Sequence, residues 1–419
     1  MKEKKDNKVH IIGAGISGLV AAIQLEKLGY APVIIEKDEA IGGRVQTDTI
    51  EGFQLDRGFQ VLLEAYPKAK EYLDYEALEL QALEAGALLF DHGKGKLFGD
   101  PLRSLRFLLP MVFSSDASLS DKIKTYRLKK KLGRKSIEDI FAHDEHTTLA
   151  YLEKQGFSKR IIENFFQPFF SGIYLEPHLS TSSRMFEFVY KMFGEGKAMI
   201  PKKGMGAIPL QLANQFNKTD IQLNCEVENI SQNQITLKGG KTIETDFIIV
   251  ATDPERLMKN YVSSLDWKSC DSLYFSVKER NIAKPIIGLS KRKDSLVNNI
   301  FYPTSIATES KGDGDLLSVT VVKKHDYTID ELIAQTTKEL AEQFGIDDAR
   351  FLKHYPIAQA LPSMHNIQCS MEVGATMISE GIAIAGDHQL NGSINAAMTS
   401  GELAAQMAHK TMAGISHLV

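Results

Sequence analysis

The chain has 419 residues, 43% of them hydrophobic, enough to bury more than one core, so two or more domains are expected. A formal net charge of -4 and a pI near 6.3 leave no general basic field, which argues against a nucleic-acid partner. Cys225, Cys270 and Cys369 lie far apart with no CxxC pair among them, so neither a disulfide framework nor a cysteine metal site is expected, and a reducing, cytoplasmic setting is the simpler expectation.

Residues 1–8 are polar and charged and carry no signal-peptide core. No apolar run reaches the roughly 20 residues of a membrane-spanning helix. Residues 9–12, Val-His-Ile-Ile, then read as a short buried parallel strand ending at Gly13. Gly13-Ala14-Gly15-Ile16-Ser17-Gly18 is a GxGxxG, and residues 17–28 continue with a helical apolar pattern that Gly29 is placed to end. A second apolar strand, residues 32–35, stops at Glu36.

Each piece has a physical task in holding a dinucleotide. Gly13 permits the tight turn, Gly15 lets backbone approach a pyrophosphate, and Gly18 lets the helix pack closely on the strand. The helix start offers unpaired N–H groups and about half a positive charge to a phosphate bridge. Glu36, 18 residues after Gly18, can accept hydrogen bonds from ribose hydroxyls, and Lys37 follows it in the same binding set. A GxGxxG alone is weak; strand, glycines, helix, strand and terminal acid in this order are what the motif requires.

Ile41-Gly42-Gly43-Arg44-Val45 comes next, with glycines that admit close backbone approach and an arginine able to offer bidentate donors to phosphate. Leu55-Asp56-Arg57-Gly58-Phe59-Gln60 adds another close approach at Gly58, beside Phe59. With these segments the chain resembles the flavin-containing amine oxidase superfamily, which also holds protoporphyrinogen oxidases and carotenoid desaturases. The resemblance implies an α/β fold: a discontinuous Rossmann-like FAD-binding domain (residues 1–65, 198–265 and 375–419) and a second α+β substrate domain (residues 66–197 and 266–374), with a mixed sheet and a helical subdomain. It further implies non-covalent FAD and hydride transfer from a small apolar organic substrate to the flavin. The electron acceptor stays open.

Residues 66–197 read as largely helical. Residues 165–174, Phe-Phe-Gln-Pro-Phe-Phe-Ser-Gly-Ile-Tyr, either pack a helical subdomain or line an apolar channel, and Met185, Phe186, Phe188, Met192 and Phe193 extend the same surface. The eight basic residues within 122–135, with the apolar run 105–113 upstream, leave two readings: a solvated helix face, or a peripheral contact with the inner face of an anionic membrane. His143, Asp144, Glu145 and His146 have no metal-site context, and no metal is expected.

Residues 204–209 open a helix to about residue 216, residues 221–230 and 234–237 look like paired strands, and 247–252 reads as a buried strand. By resemblance, Val227 touches adenine through its backbone. Residues 268–330 alternate as strands of a substrate-cavity sheet, and Ala360-Leu361-Pro362 is similar to the segment preceding the superfamily's last flavin motif. That motif is matched by a strand at 381–385, then Gly386-Asp387, a loop, and a small-residue helix from about 393 to 409. It implies that Asp387 meets the ribityl-pyrophosphate region and that the helix start at Ile394-Asn395-Ala396 faces the flavin pyrimidine. No catalytic acid–base pair stands out. His388 is the one candidate for a catalytic role, or it braces its loop. A lysine near the flavin, known in some amine oxidases, has Lys278, Lys284, Lys323 and Lys324 as candidates. No motif around Cys369 supports a covalent flavin link. Residues 55–67 resemble carotenoid desaturases more than amine oxidases, which favours desaturase-like use. A redox-neutral isomerase or mutase and a non-catalytic FAD-binding protein are the alternatives.

Overall fold

Val9–Ile12 and Phe247–Val250 are buried at every position, as strands covered on both faces must be. The one polar member, His10, is hydrogen-bonded through Nδ1 to the Thr245 hydroxyl at 2.8 Å. In the computed structural model, which describes residues 7–98, 118–258, 261 and 265–414, these two strands form the middle of a six-stranded sheet. Its order is Asp220–Gln222, Val33–Ile35, Val9–Ile12, Phe247–Val250, Ile382–Ile384 and Met377–Ser379. The first five run parallel and the last antiparallel.

Alternate residues of this sheet feed two cores. Val9, Ile11, Ile34, Phe247 and Ile249 pack under helices Ile16–Lys27 and Ile394–Met412. Ile12, Ile35, Ile248 and Val250 pack against a small antiparallel sheet of Val227–Ser231, Gln234–Leu237 and Thr242–Glu244.

A second, seven-stranded sheet has the order Arg350–Ser363, Asp266–Val277, Asp315–Val321, Val297–Phe301, Ile287–Ser290, Ala87–Asp91 and Lys94–Phe98. It is antiparallel except where Ile287–Ser290 meets Ala87–Asp91. Leu273, Phe275, Val319 and Ile300 pack against Leu332, Leu340 and Phe344 of the helical segment 329–344. A third group, helices Leu119–Gly133, Ile137–Ala142, Thr148–Lys154, Gln167–Tyr174 and Ser183–Glu195, is held at its N-termini by reciprocal caps, Ser118 with Asp121 and Ser136 with Asp139.

One expectation is refined and one is corrected. Residues 66–197 are not helical throughout: Leu80–Ala82 joins Ala198–Pro201, and Ala87–Asp91 with Lys94–Phe98 forms a hairpin. His92 and Gly93, at φ 47° and 75°, make the two-residue left-handed turn that a hairpin favours. Residues 221–230 are not one strand either. Asp220–Gln222 joins the parallel sheet and Val227–Ser231 joins the small one, the chain turning at Asn224 with φ 53°. Residues 105–113 lie outside the described residues. Among the described residues, no helix is long and apolar enough to cross a membrane.

Candidate active site

Four parallel strands of the six-stranded sheet, Val9–Ile12, Val33–Ile35, Phe247–Val250 and Ile382–Ile384, each run into a loop that lines one cavity of about 660 Å³. Ligands in open α/β sheets bind at this carboxyl edge, and the volume lies within the roughly 300–1,000 Å³ of ligand pockets.

The glycine turn shows what the fold itself demands. Gly13 has φ 105°, and a Cβ there would stand 2.8 Å from the Ala251 carbonyl oxygen. At Gly18 a Cβ would be 2.1 Å from the Gly13 oxygen. Both must be glycine for the chain to fold this way. Gly15 differs: its φ of -74° and ψ of 176° suit any residue, and a Cβ would have nothing within 4 Å. No protein atom explains why position 15 lacks a side chain. Gly15 also precedes helix Ile16–Lys27 as an N-cap without a side-chain bond, and no acid lies in the first turn. The N–H groups at this helix start, where Ile16 and Ser17 line the cavity, have no cap to take them.

Glu36 is 6% exposed. Its Oε2 accepts the Ala14 N–H at 2.7 Å and its Oε1 accepts the Asp38 N–H at 3.0 Å. Each oxygen keeps a further lone pair for a ligand hydroxyl. Ala14 is fully buried behind the turn, while Glu36 and Lys37 stand on the cavity wall with Gly43, Arg44 and Phe59.

Arg44, expected to offer donors to phosphate, also has partners within the protein. It pairs with Asp387 at 2.5 Å, donates to the Ala360 carbonyl at 3.2 Å, and lies 5.2 Å from the Trp267 ring centroid. The carboxylate that engages it comes from 343 residues away, a pairing that local spacing cannot reveal. Gly386, Asp387, His388 and Ile394 line the cavity; Gly18, Gly58, Val227, Asn395 and Ala396 do not. Gly58, at φ 96°, faces Ile357. Val227 packs with the Ile35 and Ile230 cluster. The Asn395 side-chain oxygen accepts the Lys68 N–H at 2.9 Å, and the Ala396 N–H goes to the Ser393 hydroxyl at 3.0 Å. His388 sits 4.0 Å from Asp387, and burial lowers its pKa, partly offset by that carboxylate.

Lys268 escaped the sequence reading. It lies in strand Asp266–Val277 and on the cavity wall, with Nζ 2.7 Å from the Thr181 hydroxyl, and burial lowers its pKa. Lys278, Lys284, Lys323 and Lys324 are off the wall; Lys323, for one, donates to the Lys293 carbonyl. The only signal for Lys268 was a lysine next to the single tryptophan in an otherwise strand-forming run.

The aromatic stretch divides between the two roles considered for it. Phe166 and Phe170 are buried, at 1% and 2% exposure, and back onto a smaller neighbouring chamber, whereas Phe169, Ile173 and Tyr174 line the main cavity. Met185 and Phe193 continue the wall; Phe186, Phe188 and Met192 are buried behind it. A second, apolar chamber of about 170 Å³ shares Phe59, Val61, Phe169, Ile173, Phe193 and Ile287 with the first.

The arrangement thus has a polar half, built on strand-end loops with unpaired N–H groups and a braced carboxylate, and an apolar half walled by aromatic and aliphatic side chains. A family model described as flavin containing amine oxidoreductase matches residues 16–409. Protoporphyrinogen oxidase 2, chloroplastic/mitochondrial, of Arabidopsis thaliana is 21% identical over 269 residues, 62% of this chain and 51% of that protein. The 4,4'-diapophytoene desaturase (4,4'-diaponeurosporene-forming) of Staphylococcus aureus (strain Newman) is 27% identical over 255 residues, 53% of this chain and 49% of that protein. The matches to these two span about half of each relative's length. The crystal structure of an oxidoreductase from Methanosarcina mazei superposes with a TM-score of 0.73 at 16% identity, covering 94% of this chain and 98% of that one. This likeness shows a shared fold.

Proposed function

The chain belongs to the flavin containing amine oxidoreductase family, and on that premise we propose that it is an FAD-dependent oxidoreductase that takes a hydride from a small apolar organic molecule. The observation that carries this reading is Gly15: the fold tolerates a side chain there, and a pyrophosphate pressed on the turn does not. The residues present fit the cofactor. The N–H groups at the start of helix Ile16–Lys27 would hold the pyrophosphate, and Glu36 would hold the ribose hydroxyls. When bound, FAD supplies a two-electron hydride acceptor.

The rest falls to the chain's own groups. The start of helix Ile394–Met412, beside Gly386 and Asp387 on the wall, adds partial positive charge to that side of the cavity. Phe169, Phe193 and Ile173 exclude water and orient an apolar substrate. Lys268, kept less basic than usual by burial, holds a proton at Nζ beside Thr181. Arg44 and Asp387 neutralise one another at the junction of the two halves.

A discontinuous Rossmann-like FAD-binding domain of residues 1–65, 198–265 and 375–419 accords with the sheets. Every strand of the six-stranded sheet falls in those segments, and every strand of the seven-stranded sheet falls in 66–197 or 266–374. The names of the relatives favour porphyrinogens and long polyenes as substrates to try first. The test is anaerobic: substrate added to the yellow protein bleaches its visible absorption in one stoichiometric step. A protein that takes up no FAD refutes the reading, as does one that stays yellow with amines, polyenes and porphyrinogens alike.

A further inference from the structure

The smaller chamber, of about 170 Å³, stands apart from the cofactor's half of the site. Neither the glycine turn nor Glu36, Gly386 or Asp387 lies on its wall. The residues it shares with the main cavity are Phe59, Val61, Phe169, Ile173, Phe193 and Ile287. All six are half-buried, so the two spaces meet at side-chain surface that a ligand can touch. Three rings run along that junction. Phe165, on the smaller chamber alone, stacks on Phe169 with centroids 5.4 Å apart and planes at 26°, and Phe169 meets Phe193 edge-on at 5.9 Å. Phe165 belongs to the π-helical turn Ile162–Phe166, which leads into helix Gln167–Tyr174, and such turns gather at functional sites.

We propose, resting on the flavin-oxidoreductase reading above, that the smaller chamber is the subsite for the far end of the substrate, and that this substrate is an elongated molecule, apolar at that end, which lies past Phe169 and Phe193 and occupies both spaces at once. FAD held in the polar half leaves only part of the main cavity, about 660 Å³ in all, to a substrate. The smaller chamber is the apolar room continuous with that part. A cavity of about 150 Å³ walled by leucine, isoleucine and phenylalanine binds benzene, so this chamber suits one ring or roughly six carbons of a chain. Among the described residues, the charged ones on its wall are Glu84 and Lys129, of opposite sign, and Glu84 also lies 3.8 Å from Lys284. The Thr125 hydroxyl donates to the Asp121 carbonyl at 2.9 Å. An ionic end finds no net charge to pair with there, so the chamber adds affinity by burying carbon.

The experiment measures by calorimetry how tightly FAD-loaded protein binds hexanol and decanol, in wild type, Ala85→Phe and Ala198→Phe. Both alanines line the smaller chamber and not the main cavity. They come from different stretches of the chain, so a phenyl group at either takes up that room independently. Each methylene buried tightens binding about fourfold, so the wild type prefers decanol by about a hundredfold or more. In both variants the preference falls below about tenfold. A variant that is merely misshapen weakens both alcohols by one factor and keeps the preference. A preference that survives in both variants overturns the proposal; if it survives while both alcohols associate more slowly, the chamber is a passage and not a subsite. Equal affinity of the wild type for the two alcohols overturns it as well. Protein that takes up no FAD sinks the functional reading itself, whereas yellow protein with an unchanged preference sinks only the subsite.

Discussion

Replacing Gly15 with alanine separates what the chain needs from what the cofactor needs. Without cofactor, the added methyl meets no atom within 4 Å, and φ -74°, ψ 176° is ordinary extended backbone. The substitution therefore stabilises the apoprotein by about 0.4–1 kcal/mol, through the lower entropy of the unfolded chain. With cofactor, the same methyl occupies the ground where backbone and pyrophosphate meet, and overpacking of this kind costs about 1–3 kcal/mol. FAD should then bind about 5- to 150-fold more weakly. Two measurements decide it: thermal melting of the apoprotein, and titration of apoprotein into FAD with quenching of its fluorescence. Gly18→Ala is the control. Its Cβ would lie 2.1 Å from the Gly13 oxygen, so it should lower the melting temperature before any cofactor is added. An apo Gly15→Ala protein that melts lower than wild type refutes the reasoning, as does one that binds FAD with unchanged affinity.

Two further substitutions test the electrostatics. Lys268 is less basic in the fold than its ordinary 10.5 because of burial, so its charge costs stability at neutral pH and the cost lifts as pH climbs through the lowered value toward 10.5. Lys268→Met should thus raise the apo melting temperature most near neutrality, the gain shrinking on the alkaline side; a gain independent of pH would contradict the assignment. Asp56, whose carboxyl is enclosed under Thr47 and Met205, has its pKa pushed up to about 6 by burial, against the pull of hydrogen bonds from both. The folded form binds that proton more tightly than the unfolded chain, so the stability it brings is complete below 3.8 and is lost as pH rises through about 6. Asp56→Asn, permanently neutral, should gain on wild type as pH goes from about 4 to about 7 in parallel melts, and curves that keep a fixed spacing would rule this out.

The parts legible in the sequence are those whose signals are local. The turn at Gly13 to Gly18, the helix after it and the acid at Glu36 occupy one βαβ stretch, where strand, glycine spacing and helix periodicity are all set by neighbours in the chain. The expected helix at 17–28 is found at Ile16–Lys27, and the strand expected at 32–35 at Val33–Ile35. What was missed depends on distant partners. Lys268 stands at a register shift of strand Asp266–Val277, between Lys268 and Cys270, and donates to Thr181, 87 residues away in the chain. The pairing of Arg44 with Asp387 crosses almost the whole chain. The hairpin at Ala87–Phe98 was only half legible, since the His-Gly pair follows an apolar run, Ala-Leu-Leu-Phe, but the returning strand, Lys-Gly-Lys-Leu-Phe, carries no apolar alternation of its own. The division of the phenylalanines was not legible, because Phe169 and Phe170 are equally apolar and their neighbours come from elsewhere: Phe170 packs on Phe186, and Phe169 on Phe193, both of helix Ser183–Glu195.

The central parallel sheet pairs Val9 with Phe247 and Ile248 with Ile382, so its assembly has a timetable. During synthesis the glycine turn and Glu36 emerge early, then wait for more than three hundred residues before the last parallel strand and its helix leave the ribosome. Until that moment strand Phe247–Val250 keeps an open edge and the face under the last helix stays uncovered, both of which invite aggregation. A ligand that touches both the earliest and the latest segments acts as a latch on the finished chain, favouring the closed form by mass action. Cells short of riboflavin should consequently accumulate chains whose segment 375–414 is open to proteases even after its synthesis.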